Sequence, residues 1–187
     1  MIDVSLQFIR DEINKFIQQK LNLIDSVKLD NISKVLEDSG AEKKIYLSLL
    51  NLEEDRLSRS PENFVKIDNK IIYKNPKLYL NLYCLFVTNQ NYEEGLKQLS
   101  LIFRFFQFRN VFTHENFPSM DSGIEKLVFE LHSLNFEQLN QIWGVLGGKY
   151  YPSVLYKMRV ITIDEMSTEA EGEPIKEIEI SGKDYTK

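Results

Sequence analysis

The 187-residue chain has one cysteine, two histidines and one tryptophan. A lone Cys84 excludes an intrachain disulfide, and nothing argues for secretion. With only His114 and His132, a histidine-rich metal centre is excluded. No apolar run reaches the roughly 18 residues a membrane span needs. Residues 1–16, MIDVSLQFIRDEINKF, are amphipathic and carry acidic groups, which is not the pattern of a signal peptide. There is no internal repeat, and the one biased tract is an acidic stretch near the C-terminus. A soluble, cytoplasmic product without membrane contact is expected.

Net charge is also small, −5, and it is unevenly placed. Asp164 to Lys187 hold eight acidic residues and three lysines, so this tail alone carries −5; the other 163 residues have twenty charges of each sign. A neutral body offers no electrostatic footprint for nucleic acid, and low net charge permits association with other proteins. Apolar content of 43% and aromatic content of 12% indicate a globular chain long enough for a core without disulfides or metals.

Asn75 to Asn89, NPKLYLNLYCLFVTN, is the organising stretch. Leu78, Leu80, Leu82, Cys84 and Phe86 alternate with Lys77, Tyr79, Asn81 and Tyr83, which predicts a long strand with Pro76 at its front end. A helix follows from Tyr92 to about Arg109, with Leu96, Leu99, Ile102, Phe103 and Phe106 as its apolar stripe. The pair is expected to be the central strand of a sheet and the main helix across it.

Residues 3–20 predict a helix capped by Asp3, with Leu6, Phe8, Ile9, Ile13, Phe16 and Ile17 as its apolar face. Ser26–Ile32 fits a short edge strand within an ambiguous stretch, and Asp38-Ser39-Gly40 a turn. A strand from Lys44 to about Glu53 sets Ile45, Leu47 and Leu49 against Tyr46, Ser48 and Leu50. Residues 54–69 read as a loop, and Ile71–Tyr73 as a backward extension of the next strand. A short segment at 111–114 precedes a loop at 116–122. Residues 123–134 give a strand with Leu127, Phe129 and Leu131 inward. Asn135 caps a helix through Phe136, Leu139, Ile142 and Trp143, ended by Gly144, Gly147 and Gly148. Tyr151 to Ile163 is the last strand of the body, residues 164–174 a linker, and Ile175, Ile178 and Ile180 a β-like coda. The expected fold is α/β (α+β): about four strands in a mixed or antiparallel sheet, packed with about three helices. Residues 1–163 form the domain and 164–187 an acidic flexible arm.

The motifs that could carry chemistry are weak. Gly147-Gly148-Lys149 lacks the phosphate-loop spacing, and Tyr150 stands where Ser or Thr would ligate magnesium; a glycine C-cap explains it. His114-Glu115 opens like a zinc-protease motif, but position 118 is proline. His132 reads as a solvated residue. Cys84 could serve a hydrolase as nucleophile, yet it sits on the apolar face of a strand as a core thiol. Glu53-Glu54-Asp55-Arg56 reads as a solvated charge cluster. No catalytic constellation and no cofactor site emerge. Phe103, Phe105, Phe106, Phe108 and Phe112 are too dense for one helix face. Phe103 and Phe106 fall on the stripe; Phe105 and Phe108 fall beside it, through burial on two sides or as a subunit contact, where aromatics are enriched.

Four blocks carry a resemblance: NLEEDR (51–56), the stretch from Asn75 to Gln107, VFTHEN followed by Gly123-Ile124-Glu125-Lys126-Leu127, and LNQIWGVLGGKYYPSVLYKMRVITID (139–164). Over about residues 3–164 the chain resembles the N-terminal domain of cap, or tail-terminator, proteins of extracellular contractile injection systems such as the antifeeding prophage and Photorhabdus virulence cassettes. The string WGxLGGKYxPSxLYK is its most specific part. The resemblance implies a tail-terminator fold and no enzymatic activity. It implies a ring, expected to be a homohexamer, that ends the inner tube and contractile sheath, anchors the sheath end, and binds tube and sheath proteins. Larger relatives carry further C-terminal domains. Trp143, Gly147, Gly148, Lys149, Tyr150, Pro152 and Tyr156 match the pattern with structural roles. A small adaptor docking through its acidic tail and a Cys84-dependent hydrolase are the competing readings. Phe105 and Phe108, with Ile175, Ile178 and Ile180, are the candidate contact residues; the tail isoleucines would add as a strand to an exposed sheet edge.

Overall fold

The computed structural model describes residues 1–55, 64–67, 70–73, 79–162 and 171–172. The order is α1 (Ile2–Leu21), β1 (Val27–Leu29), α2 (Ile32–Glu37), β2 (Ile45–Glu54), β3 (Phe64–Ile67), β4 (Lys70–Tyr73), β5 (Tyr79–Thr88), α3 (Tyr92–Phe108), β6 (Val111–Thr113), β7 (Ile124–Leu131), α4 (Phe136–Val145), β8 (Ser153–Thr162) and β9 (Glu171–Gly172). Six strands form one sheet in the order β1-β2-β5-β8-β7-β6, and β3-β4-β9 form a second. Among the described residues only the β1–β2 pair is parallel; the other ladders are antiparallel.

Alternation along β5 divides the molecule into two cores. Leu80, Leu82, Cys84 and Phe86 join α1 and α3 in the larger one, while Leu85 and Val87 join α2 and α4 in the smaller. Strand β8 does the same, with Tyr156, Met158 and Val160 on the first face and Leu155 on the second. This is the period-2 geometry of a strand buried on both sides. Bulges between Leu49 and Asn51 and between Ile124 and Lys126 reset the pleat. The second lets Ile124 and Leu127, three residues apart, share the larger core.

Helix α1 touches both edges of the main sheet. The Asn14 side chain donates to the Val27 carbonyl and accepts from the Val27 N–H, at 2.9 and 2.8 Å. These bonds occupy backbone groups of the edge strand, which would otherwise invite another chain. At the other end, Phe8 meets the rings of Phe112 and Phe117 edge-on. The sheet therefore curls around α1, with α3 beside it.

That second wall corrects the reading of α3. Its buried face is Gly95, Gln98, Leu99, Leu101, Ile102, Phe105 and Phe106. Phe105 is buried, with its ring against Phe16 of α1 at 5.5 Å, and Phe103 is pushed out to 43% exposure. Leu96 is exposed as well. The helix is thus buried on two sides, and the predicted stripe is rotated because it allowed for one wall.

Other expectations change. Asp3 does not cap α1; Met1 is the N-cap and Asp3 pairs with the terminal amine. The ambiguous stretch contains α2, capped by the Asn31 side chain accepting from the Ser33 N–H. Residues 64–67 of the expected loop are a strand, and 70–73 belong to the second sheet instead of extending β5. Leu131, expected inward, is 52% exposed at the end of β7. Within the expected linker, Glu171 and Gly172 pair with Ile72 and Ile71 of β4. Pro76 and the isoleucines at 175, 178 and 180 lie outside the described residues.

Candidate functional site

Among the described residues, the candidates singled out for chemistry take structural places. Cys84 is fully buried between β2 and β8, and burial pushes its thiol up to about 12. A nucleophilic cysteine needs the opposite shift. In this environment Cys84 should react with a thiol reagent at pH 8 only after denaturation, and Cys84→Ala should cost about 1 kcal/mol in urea unfolding. Since the folded pKa lies above the unfolded value, the stability from burying the neutral thiol is complete below pH 9. It falls as pH rises towards 12. Rapid labelling of the native protein would contradict this placement.

The two histidines are engaged elsewhere. His114 Nε2 lies 2.8 Å from the Ile124 carbonyl, an acceptor only, so that nitrogen carries the proton. His132, expected to be solvated, instead sets its ring edge-on to Tyr83 at 5.2 Å and is partly buried. Gly147 and Gly148 have φ of 103° and 75°, in the left-handed region that favours glycine. The Gly148 N–H donates to the Trp143 carbonyl at 2.7 Å and closes the end of α4. This pair is a turn into β8, not a phosphate cradle. Asn135 and Gln138 form a capping box at the other end of α4. Among the described residues no three His, Cys, Asp or Glu side chains are grouped to hold a metal ion. No helix among them is long and apolar enough to cross a membrane.

The carboxylates of the 53–56 cluster are spread along a strand end. Glu53 accepts from the Tyr83 hydroxyl at 2.9 Å; burial, then this bond, raises the Tyr83 pKa. Asp55 faces Arg159 at 3.6 Å as an ion pair, while Arg159 also lies 4.0 Å from Glu130, itself 3.2 Å from Lys157. Charges placed this way hold a solvated sheet face together and do not converge on a reacting atom.

What remains are surfaces. Helices α2 and α4 cover only part of the second sheet face. Between them runs an open groove of about 800 Å³. Ser48, Leu50, Tyr83 and Leu155 contribute to it from the strands, Asn31 from the α2 side, and Ile142, Val145 and Leu146 from α4. A second surface follows α3, where Leu96 and Phe103 are exposed and Phe108 is 77% exposed at the helix end beneath the Arg109 guanidinium. Of the two aromatic contact candidates, Phe108 is at the surface and Phe105 is in the core. Periodicity missed the groove because nothing local in a sequence states how far two helices stand apart.

The model of the Pvc16 N-terminal domain family matches residues 6–177. No curated protein matches the sequence. A sheath/tube terminator of an extracellular contractile injection system, PVC, in its extended state, is similar in structure, with a TM-score of 0.66 at 11% identity over 100% of this chain and 64% of that one. The tube-terminating cap of the anti-feeding prophage is similar at a TM-score of 0.60 and 15% identity, over 93% of this chain and 60% of that one. This chain therefore spans about three-fifths of the length of each, and the likeness is one of fold.

Proposed function

The chain belongs to the Pvc16 N-terminal domain family, and from that premise we propose that it is a structural subunit terminating the tube and sheath of a contractile, phage-tail-like injection particle. The observation that carries this reading is the whole-chain fold match to a sheath/tube terminator. A neutral body with exposed apolar surfaces suits a protein that works by assembly. In this reading six copies close head-to-tail into a ring on the last layer of the tube, with tube and sheath proteins as partners. Head-to-tail contacts with closed rotation give a ring that stops axial growth. The α3 surface with Phe108 is offered to a neighbouring subunit or to the layer beneath. Assembly is in the cytoplasm, without cofactor or catalysis. Residues 164–187 act as an arm whose Ile175, Ile178 and Ile180 add to a sheet edge of a neighbour.

Light scattering and negative-stain images of the purified chain test the class: rings of six are expected, alone or on tube ends. A monomer that also fails to bind tube or sheath ends would sink the proposal. Truncation after Gly172, which keeps β9 on its sheet, tests the arm's isoleucines. Loosened rings, or sheaths detached from the tube at that end, are expected; unchanged rings and particles of normal length would leave the isoleucines no part in assembly.

A further inference from the structure

The connection between α1 and β1 is an exposed apolar knob. Leu21, Leu23 and Ile24 are all exposed, Ile24 to 78%. Exposed aliphatic side chains gathered at one place are a candidate contact surface. The knob is braced. Asn22, in the left-handed region with φ 55°, closes α1 through its N–H to the Gln18 carbonyl. Asp25, also left-handed at φ 53°, is paired with Lys44, whose pKa is raised first by this bond and then by Glu42. Asn and Asp tolerate that conformation best after glycine. At the base of the knob, Lys20 lies over the Phe16 ring, 5.9 Å from its centroid.

The groove between α2 and α4 is its complement. Leu50, Ile142, Val145 and Leu146 give it apolar walls, and Val145 is 87% exposed at the rim. The formal charges among its lining residues are both negative, Asp30 and Glu53. An apolar insert beside a cation fits this, and Leu21, Leu23 and Ile24 beside Lys20 have that composition. The chain cannot fill its own groove. The β1–β2 ladder starts at Val27 opposite Ile45, so the knob stands at the start of β2, while the groove lies over residues 48–53.

We propose that the knob of one copy docks in the groove of the next, with Ile24 and Leu23 against Val145, Ile142 and Leu50, and Lys20 facing Glu53. The two surfaces differ, so each copy can give its knob to one neighbour and its groove to another, the head-to-tail arrangement that a ring needs. This names the subunit contact within the terminator reading and rests on it.

Two variants at exposed positions test the contact, Ile24→Asp and Val145→Glu, each checked for native circular dichroism. Each should weaken self-association by about thirtyfold or more, as loss of a central contact does. Light scattering should then report monomers for each variant alone. An equimolar mixture should give a 1:1 dimer that grows no further, because one intact knob and one intact groove meet once. Lys20→Glu should also weaken assembly, and combining it with Glu53→Lys should restore it. Wild-type mass for either single variant, or a mixture that stays monomeric, overturns the contact. If the wild-type chain is monomeric at all concentrations, the contact is also overturned, while the terminator reading survives if that monomer still binds tube or sheath ends.

Discussion

Phe106→Ala is expected to cost about 3–5 kcal/mol, the range for removing a fully packed aromatic ring. For a domain whose whole stability is of order 5–15 kcal/mol, that leaves a protein partly unfolded at moderate temperature. Phe106 is where both layers of the larger core meet. Its ring stacks on Phe129 at 4.5 Å, lies 4.3 Å from Tyr156, and meets Phe105 and Phe86 at 5.1 and 5.9 Å. Alanine would remove one partner from four ring pairs and open a cavity between α3 and the strands β5, β7 and β8, which cannot close without moving the helix. Two positions along, Phe108→Ala should shift stability by no more than about 0.5 kcal/mol, as exposed sites do. Urea unfolding followed by far-ultraviolet circular dichroism compares the two. Equal losses at Phe106 and Phe108, or a loss below about 1.5 kcal/mol at Phe106, would contradict the orientation of α3.

Gly95→Ala should destabilise the protein, by up to about 2 kcal/mol, although alanine is the better helix former. The propensity gain is about 1 kcal/mol. Against it stands the crossing of α3 over the end of β5. A Cβ at position 95 would lie 2.7 Å from Thr88 Cγ2 and 2.8 Å from Thr88 Oγ1. Thr88 is buried, its N–H donates to the Pro152 carbonyl, and its hydroxyl accepts from the Gln90 N–H, so it has little room to yield. Overpacking of this kind costs about 1–3 kcal/mol. Thr88→Ala removes both close atoms, so the double variant should be more stable than the sum of the two single losses by about 1 kcal/mol or more. Strict additivity would mean that the helix does not approach the strand at this point.

Much of this was legible in the residues. The alternation of Leu80, Leu82, Cys84 and Phe86 named the core face of β5, because successive side chains of a strand must point to opposite sides. Asn135 announced the start of α4, since its side chain can satisfy an N–H the helix leaves free. Gly147 and Gly148 announced its end, where the backbone turns left-handed. Scarcity also decided something: with one cysteine and two histidines the chemistry a site could hold was narrow. The blocks from Asn51 to Asp164 carried the family.

Tertiary structure alone decided the rest. Periodicity reports that a helix has an apolar side; it does not report how many walls it meets, so α1 decided that Phe105 goes in and Phe103 out. Bulges at 49–51 and 124–126 shift the pleat through long-range pairing, invisible to any local window. Residues 70–73 join a sheet of their own: 64–67 pair with them locally, but their second partner, 171–172, lies far along the chain, where no local window reaches it. The knob at 21–24 and the groove between α2 and α4 exist only after the chain has folded. Exposure belongs to the packed molecule, and the same leucine or isoleucine is core or contact according to what stands over it.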